Sequence, residues 1–375
     1  MFRQKILSKD FITKIIENAA GKVPQNMLED FLSCIEKEIT LHYFTKSSES
    51  NLLRIIQNQF DIAFFLNECL KYPHQVEILI SISNNSNYLT DILVRNPEYF
   101  HWIINPSVLE QKIDDKYFRN NLEKTISSFK SFESKVNAIR NFKRKEILRI
   151  GLKDIYLKEQ LIIITKYLSD LSNSISFVLF ELCYKEILNR YDIEKVNRTY
   201  ALFSLGKLGG KELNYSSDID LVAFFDSNSL INKKIYYNQI LSEAILLFIE
   251  NASKKTGSGF LYRVDFRLRP DGRNAPLCGS ITEYLRYYEM RGEDWERQML
   301  IKANFVCGSE TLYKRFSDYV SNFVYQTSFS VSPVDQIRKM KTSIEKRNKF
   351  DENIKLVSGG IRDIEFAVQA LQLVN

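Results

Sequence analysis

Apolar residues recur every three or four positions along most of this chain, which is the spacing of helices that bury one face. The pattern runs through residues 1–140 and 155–195, and it returns from about 295 onward. Within the stretch Leu52 to Leu70 it includes Phe60, which would then lie on the buried side of a helix. The sequence therefore predicts a mostly helical protein.

The pattern changes between residues 199 and 290, where short apolar runs predict a small sheet. Tyr200 to Leu205 is one such run. A second, from 218 to 225, follows two close glycines and a polar turn. Side chains alternate between the two faces of a strand, so Asp218 and Asp220 would share one face.

Gly259 to Pro270 predicts a further strand, because apolar and charged residues alternate along it. A core strand rarely carries four charges on one face unless that face lines a site. We expect an amphipathic helix from 234 to 253 to cover one face of the sheet and to leave the other face open to substrate. The charged residues of the predicted strand are Arg263, Asp265, Arg267 and Arg269.

Two carboxylates on one strand face repel each other unless a cation lies between them. Mg²⁺ prefers oxygen ligands of this kind. A carboxylate on the next strand could complete the cluster, so Asp218, Asp220 and Asp265 are predicted as metal ligands and catalytic residues. The predicted cofactor is Mg²⁺, which would stabilise the charge that develops in phosphoryl or nucleotidyl transfer.

Glycine backbone N–H groups can approach a phosphate closely, and arginine guanidinium groups match phosphate oxygens in a fork geometry. Taken singly, an Asp-x-Asp pair, a Gly-Gly turn or exposed arginines on an edge strand indicate little. Their combination in this order favours a catalytic site. The predicted phosphate- and nucleotide-binding residues are Gly206, Lys207, Gly209, Gly210, Ser217, Arg267 and Arg269.

The composition excludes several other classes of protein. Against 46 acidic residues stand 52 basic ones, and a net charge of +6 is too mild for a dedicated nucleic-acid binder. No apolar run approaches 18 residues without a charge, so no membrane span is expected. Five scattered cysteines without a C-x-x-C pair indicate a reducing compartment, and we expect a cytoplasmic protein. The three histidines lie far from the motifs and support no zinc site.

At 375 residues, two or three domains are expected. The pattern predicts a helical N-terminal region over 1–140 and a sheet with a helical lead-in over 141–290. The start of a helical C-terminal subdomain would follow over 291–375.

Four separated segments carry a resemblance to a known family. They are similar to the glutamine synthetase adenylyltransferase/adenylyl-removing enzyme of bacteria. The resemblance implies an α+β fold in which a nucleotidyltransferase palm like that of DNA polymerase β lies between helical segments. The segments are Leu205 to Leu221, Arg263 to Pro270, Asp294 to Arg297 and Gly359 to Phe366.

The full enzymes of that family carry two homologous nucleotidyltransferase domains. One removes AMP from a tyrosine of glutamine synthetase by phosphorolysis, and the other attaches AMP from ATP. This chain resembles the first, because about 200 residues of helical character precede its Gly-Gly and Asp-x-Asp motifs. The resemblance implies glutamine synthetase, ADP or ATP, inorganic phosphate and the PII signal protein as partners.

The resemblance also implies a full protein more than twice this long. Since the chain stops at Asn375, we expect the second nucleotidyltransferase domain to be absent and the helical subdomain to be truncated. Two alternatives stay open. The chain could act on another acceptor as a different nucleotidyltransferase, or it could be a catalytically silent remnant that only binds a partner.

Overall fold

The computed structural model describes residues 7–374, except for 197, 232, 234, 258, 327–331, 348–353 and 355–356. The described chain is mostly helical with a small mixed sheet, which confirms the predicted α+β class at that level. It forms two compact units. The first comprises the described part of Met1–Tyr117 together with Asn141–Leu171, and the second comprises Phe118–Arg140 with the described part of Ser172–Asn375. No helix in these described ranges is long and apolar enough to cross a membrane.

The first unit is built from helices. Helices that lie wholly in this unit are α1 Lys9–Ala19, α2 Gln25–Ile39, α3 Lys46–Gln57, α4 Ile62–Lys71, α5 His74–Asn85, α6 Asn87–Arg95, α7 Glu98–Ile103 and α8 Pro106–Glu110. Side chains cap the starts of α1, α3, α4, α6 and α8. The hydroxyl of Ser8 and the carboxylate of Asp61, for example, accept hydrogen bonds from backbone N–H groups of the first turn. Three more helices run through both units: α9 Asp115–Ser127, α10 Phe132–Ile155 and α11 Leu161–Arg190.

The helical pattern over Leu52 to Leu70 proved misleading at Phe60. Helix α3 ends at Gln57, and Asp61 caps the start of α4, so Phe60 lies in the connection and is 84% exposed. Asp61 starts a new helix at this point, although the apolar spacing alone would predict that one helix continues through it.

The second unit contains a five-stranded sheet around two central strands. The order is β5-β2-β1-β7, and β6 also pairs with β2. β1 and β2 are antiparallel, with Leu205 opposite Asp220, whereas β5 and β6 both run parallel to β2. The strands are β1 Tyr200–Leu205, β2 Ile219–Phe225, β5 Val264–Asp265, β6 Cys278–Ser280 and β7 Asn304–Gly308, beside a separate hairpin of β3 Leu230–Ile231 and β4 Ile235–Tyr236.

Helices cover both faces of this sheet, so the prediction of one open face was wrong for most of its area. On the face that Asp220 shares, Phe203 and Phe224 pack against Phe316, with ring centroids 5.2 and 4.8 Å apart. On the other face, Phe225 packs against Tyr237. The remaining helices are α12 Gly206–Gly209, α13 Tyr237–Ser253, α14 Ile281–Met290, α15 Asp294–Leu300, α16 Glu310–Val324, α17 Pro333–Arg347 and α18 Ile361–Val374.

The predicted strands differ in how well they match the structure. β1 and β2 coincide with the two predicted apolar runs, and α13 begins at Tyr237 within the predicted range from 234, a residue outside the described ones. The predicted strand Gly259 to Pro270 contributes only Val264 and Asp265 to the sheet. The chain turns immediately after Asp265. The alternation of apolar and charged residues therefore continues in the sequence beyond the end of the strand.

Candidate active site at the start of the central strand

Asp220 and Asp265 are direct neighbours on adjacent parallel strands. They pair in register between β2 and β5, so both side chains point to the same face. Neighbouring strands lie about 4.8 Å apart, which brings two carboxylates close together at an edge of the sheet. Asp220 is half-buried, in contrast to the fully buried apolar residues that follow it in β2. The accessible part of this face is therefore its end, where the two aspartates lie.

Gly206 makes room for the Asp220 carboxylate. It follows β1 directly with a φ of +56°, a left-handed conformation that favours glycine. A Cβ atom added there would lie 2.6 Å from Oδ2 of Asp220. The first glycine of the motif thus shapes the acidic site, through both its backbone conformation and its missing side chain.

Asp218 lies two residues before Asp220, in the turn that leads into β2. Its Oδ1 atom accepts a hydrogen bond from Nε of Arg263, and Nη2 of Arg263 also donates to the Ser216 carbonyl oxygen at 2.9 Å. Both side chains of this ion pair are more than half exposed. Asp218 is therefore directed toward an arginine of the neighbouring segment.

Asp265 is held by Arg267 in the same way. Nε of Arg267 donates to Oδ2 of Asp265 at 2.7 Å, and the backbone N–H of Arg267 donates to Oδ1 at 2.7 Å. These side-chain and backbone hydrogen bonds lower the pKa of Asp265, although partial burial opposes them. The pKa of Arg267 is raised, first by Asp265 and further by Asp220 and Asp218. The guanidinium of Arg267 thus interacts electrostatically with all three candidate carboxylates.

Three predicted phosphate-binding residues have structural partners. A Cβ at Gly209 would overlap the carbonyl oxygen of Lys302, so Gly209 allows two backbone segments to pack together. The N–H of Gly210 donates to the Gly206 carbonyl oxygen at 3.0 Å, inside the turn. The Ser217 hydroxyl accepts from the backbone N–H of Asn214 at 3.2 Å. Lys207 is half-buried in helix α12.

Arg269 is almost fully buried and binds the backbone of its own loop. Its guanidinium donates to the carbonyl oxygens of Phe266, Arg273, Ala275 and Pro276, at distances between 2.6 and 3.2 Å. These bonds close the turn that ends strand β5. They explain why the strand ends at Asp265, although the alternation of charged residues predicted that it continues to Pro270. Arg267 remains at the acidic site, whereas Arg269 shapes the loop behind it.

The donor set partly fits the predicted magnesium ion. Asp220 and Asp265 offer hard oxygen ligands side by side, which suits Mg²⁺. Within the described ranges, however, no three His, Cys, Asp or Glu side chains lie close enough to form a ready cation site. At this end of the sheet, the Asp218 carboxylate is directed toward Arg263. The structure therefore brings two of the three predicted ligands together.

The two remaining segments that carry the resemblance, Asp294 to Arg297 and Gly359 to Phe366, form structural contacts. Glu296 is buried and accepts hydrogen bonds from the Tyr287 hydroxyl at 3.1 Å and from the backbone N–H of Glu293 at 2.8 Å, while burial raises its pKa. The N–H of Gly359 donates to the Asp363 carboxylate at 2.6 Å, and Lys341 pairs with the same carboxylate at 2.8 Å. These motifs stabilise the starts of helices α15 and α18.

Arg263 lies at this site, although it was not among the predicted phosphate- and nucleotide-binding residues. It lies on the charged face of the predicted strand, two residues before Asp265. Residues two apart in a strand lie on the same face, and this spacing from Asp265 could have identified Arg263 from the sequence. A cavity of about 510 Å³ beside the edge strand β5 is lined by Asp218 and Asp265 and by four arginines, among them Arg263 and Arg267.

The fold and this site define a mostly helical α+β protein with an arginine-flanked acidic site at the start of its central strand. Residues 76–319 match the family model described as glutamate-ammonia ligase adenylyltransferase. Since the match covers more than half of the chain, the chain belongs to the glutamate-ammonia ligase adenylyltransferase family. This confirms the resemblance carried by the motifs. Residues 335–375 match a second family model, described as GlnD PII-uridylyltransferase.

Curated relatives agree with the family. A bifunctional glutamine synthetase adenylyltransferase/adenylyl-removing enzyme from Psychromonas ingrahamii is 31% identical over 317 residues, which are 82% of this chain and 33% of the relative. The protein of the same name from Shewanella oneidensis is 31% identical over 324 residues, 80% of this chain and 32% of its own. The chain thus spans about a third of the length of the curated relatives it matches.

Proposed function

We propose that this chain is a nucleotidyltransferase that acts on glutamine synthetase and removes AMP from an adenylylated tyrosine by phosphorolysis. The observation that carries the proposal is the in-register pair of Asp220 and Asp265, with Arg267 beside it. Two adjacent carboxylates and a guanidinium are parts that metal-assisted phosphoryl transfer requires. The relatives' names supply the protein substrate, because they are glutamine synthetase adenylyltransferases/adenylyl-removing enzymes.

In this proposal the acidic end of the sheet is the palm of a polymerase β-like nucleotidyltransferase. Asp220 and Asp265 would hold Mg²⁺, with Asp218 as a third ligand, and the ion would supply positive charge beside the phosphoryl oxygens. Arg267, whose side chain is 60% exposed, would bind phosphate oxygens through guanidinium N–H groups other than those that hold Asp265. Gly206 would keep Asp220 in place.

The proposed reaction is a displacement at phosphorus. An oxygen of inorganic phosphate forms a bond to the phosphorus of AMP, and the bond from phosphorus to the tyrosine oxygen breaks. The products are ADP and the unmodified tyrosine, which takes up a proton. Arg267 would orient the phosphate oxygens at the acidic site, so this chain's own contribution is positioning and charge.

The test uses AMP-modified glutamine synthetase with inorganic phosphate and Mg²⁺. We expect release of ADP, and we expect Asp220→Asn to reduce the rate by roughly a hundredfold or more, because the variant keeps the shape but loses a charge. Glu212→Gln is a matched control, since its carboxylate pairs with Lys302.

Other outcomes would select an alternative. Transfer of label from ATP onto unmodified glutamine synthetase would contradict the removing direction. Mg²⁺-dependent nucleotide binding without reaction on glutamine synthetase would indicate a different acceptor. Absence of cation and nucleotide binding would favour a silent protein.

The PII signal protein is proposed as a regulatory partner. The supporting observation is that residues 335–375 match the PII-uridylyltransferase family model. Pull-down of PII by the chain, compared with a variant that lacks α18, would test this part separately from the chemistry.

A further inference from the structure

Arg263 fixes the direction of one candidate aspartate. Its Nε atom donates to Asp218, and its Nη2 atom donates to the Ser216 carbonyl oxygen at 2.9 Å. Both acceptors belong to the turn that leads into β2. A single exposed guanidinium therefore determines both where the Asp218 carboxylate points and how this turn lies against β5.

Positive charge at the acidic site comes from arginine in this structure. Arg263 and Arg267 lie two residues on either side of Asp265, and each holds one candidate carboxylate. Carboxylates gathered at one place repel each other unless positive charge lies among them. A divalent cation would supply the same charge in a smaller volume, so a cation at this site would compete with the arginines for the same oxygens.

We propose that Arg263 is a positioning residue that exchanges with a divalent cation for Asp218. The proposal rests on the proposed function, because the cation is the one that Asp220 and Asp265 fit. When the cation binds, Asp218 leaves Arg263 and joins the other two carboxylates. The Nε donor that held Asp218 is then free beside the site for an anionic oxygen, such as that of a phosphate group.

A second ion pair of this unit provides a matched control. Arg291 and Asp271 lie 3.0 Å apart, and their side chains are 63% and 50% exposed, close to the 62% and 56% of Arg263 and Asp218. This pair contains none of the three candidate aspartates. Loss of Arg291 removes the same charge from the protein without releasing Asp218.

The test measures Mn²⁺ binding to the 375-residue chain by electron paramagnetic resonance of the free ion. We expect Arg263→Gln to bind Mn²⁺ about two- to fivefold more tightly than the wild type, which is the range expected for release of an exposed ion pair. Arg263→Lys keeps the charge but loses the fork, so its affinity should lie between the two. Arg291→Gln should bind like the wild type, and thermal melting verifies that each variant is folded.

A double-mutant cycle decides whether the effect acts through Asp218. In an Asp218→Asn background, Arg263→Gln should no longer change the Mn²⁺ affinity. An equal gain in that background would overturn the exchange, because it would reflect general charge. Unchanged or weaker binding by Arg263→Gln, beside clear binding by the wild type, would overturn it while leaving the cation site intact. No Mn²⁺ binding by any variant would overturn both this proposal and the proposed cation site.

Discussion

Gly206 shows how one missing side chain can determine the position of a carboxylate. Its left-handed backbone carries the chain from β1 into α12, and the Asp220 carboxylate occupies the space that a Cβ would fill. Any other residue there would be strained and would also displace the aspartate. The need for glycine at this position therefore follows from the site as well as from the turn.

We expect Gly206→Ala to weaken Mn²⁺ binding at least tenfold and to destabilise the protein by roughly 1–2 kcal/mol, the cost of a left-handed non-glycine residue. Isothermal titration calorimetry and urea unfolding measure the two effects. Gly259→Ala is the control, because Gly259 has a φ of +81° and nothing within 4 Å of an added Cβ. It should show the stability cost alone. Equal loss of Mn²⁺ binding in both variants would contradict the role assigned to Gly206.

The ion pair of Arg267 and Asp265 predicts a pH dependence of stability. Because Arg267 lowers the pKa of Asp265 in the folded state, the pair stabilises the fold above the unfolded pKa of about 4. That stability is lost as the pH falls through the lowered pKa of Asp265 in the folded state. Arg267→Gln should therefore lower the free energy of unfolding modestly at pH 7, and the difference from wild type should vanish in acid.

Urea unfolding from pH 7 down to pH 3 measures this difference. Arg291→Gln removes a comparably exposed arginine far along the chain, and it should leave the pKa of Asp265 unchanged. A difference between wild type and Arg267→Gln that grows on acidification would have the wrong sign for a lowered pKa.

At the scale of elements, the turn after β1 is packed against the chain before β7. Gly209 lies so close to the Lys302 carbonyl oxygen that a side chain has no space. At Gly210, the next residue, the atoms nearest to an added Cβ belong to the side chains of Lys302 and Glu212, at 3.1 and 3.2 Å. The two adjacent glycines thus differ, since one contacts backbone and the other contacts movable side chains.

We expect Gly209→Ala to destabilise the protein by roughly 1–3 kcal/mol, because a backbone segment has to move. Gly210→Ala should change the stability by less than about 0.5 kcal/mol. Urea unfolding of both variants checks the contrast. Comparable losses in the two variants would show that the close approach is relieved elsewhere.

The sequence predicted the two central strands because each is an apolar run bounded by turn residues. It predicted that Asp220 and Asp265 belong to one cluster, because alternation places each carboxylate on the charged side of its strand. It did not predict that β5 ends after Asp265, since the bonds from Arg269 to four carbonyl oxygens form only in the folded loop. Nor did it predict the pairing of Asp218 with Arg263, because partner choice among exposed charges depends on the path of the turn.

At the scale of the whole molecule, helix α18 is apolar on two sides. Ala370 and Leu373 are buried, while Ile361, Ile364 and Val368 are 41%, 63% and 49% exposed. These three residues are spaced three and four apart, so they form one stripe. Exposed apolar stripes of this kind promote association.

We expect Ile364→Lys to raise the concentration at which the chain stays monodisperse in light scattering, with a change in stability within about 0.5 kcal/mol. Ala370→Lys on the buried side should instead destabilise the protein, because it buries a charge. Unchanged scattering in Ile364→Lys would show that another surface governs association.

The in-register pairing of Asp220 with Asp265 has a consequence for how such a chain can vary over evolutionary time. The two residues lie 45 positions apart, and the segment between them contains the hairpin of β3 and β4 and the helix α13. Insertions or deletions there leave the acidic pair unchanged as long as Ile219 still pairs with Val264. A single residue inserted between Val264 and Asp265 would turn the carboxylate to the opposite face. The connection between β2 and β5 can therefore change in length, whereas the number of residues within each strand cannot.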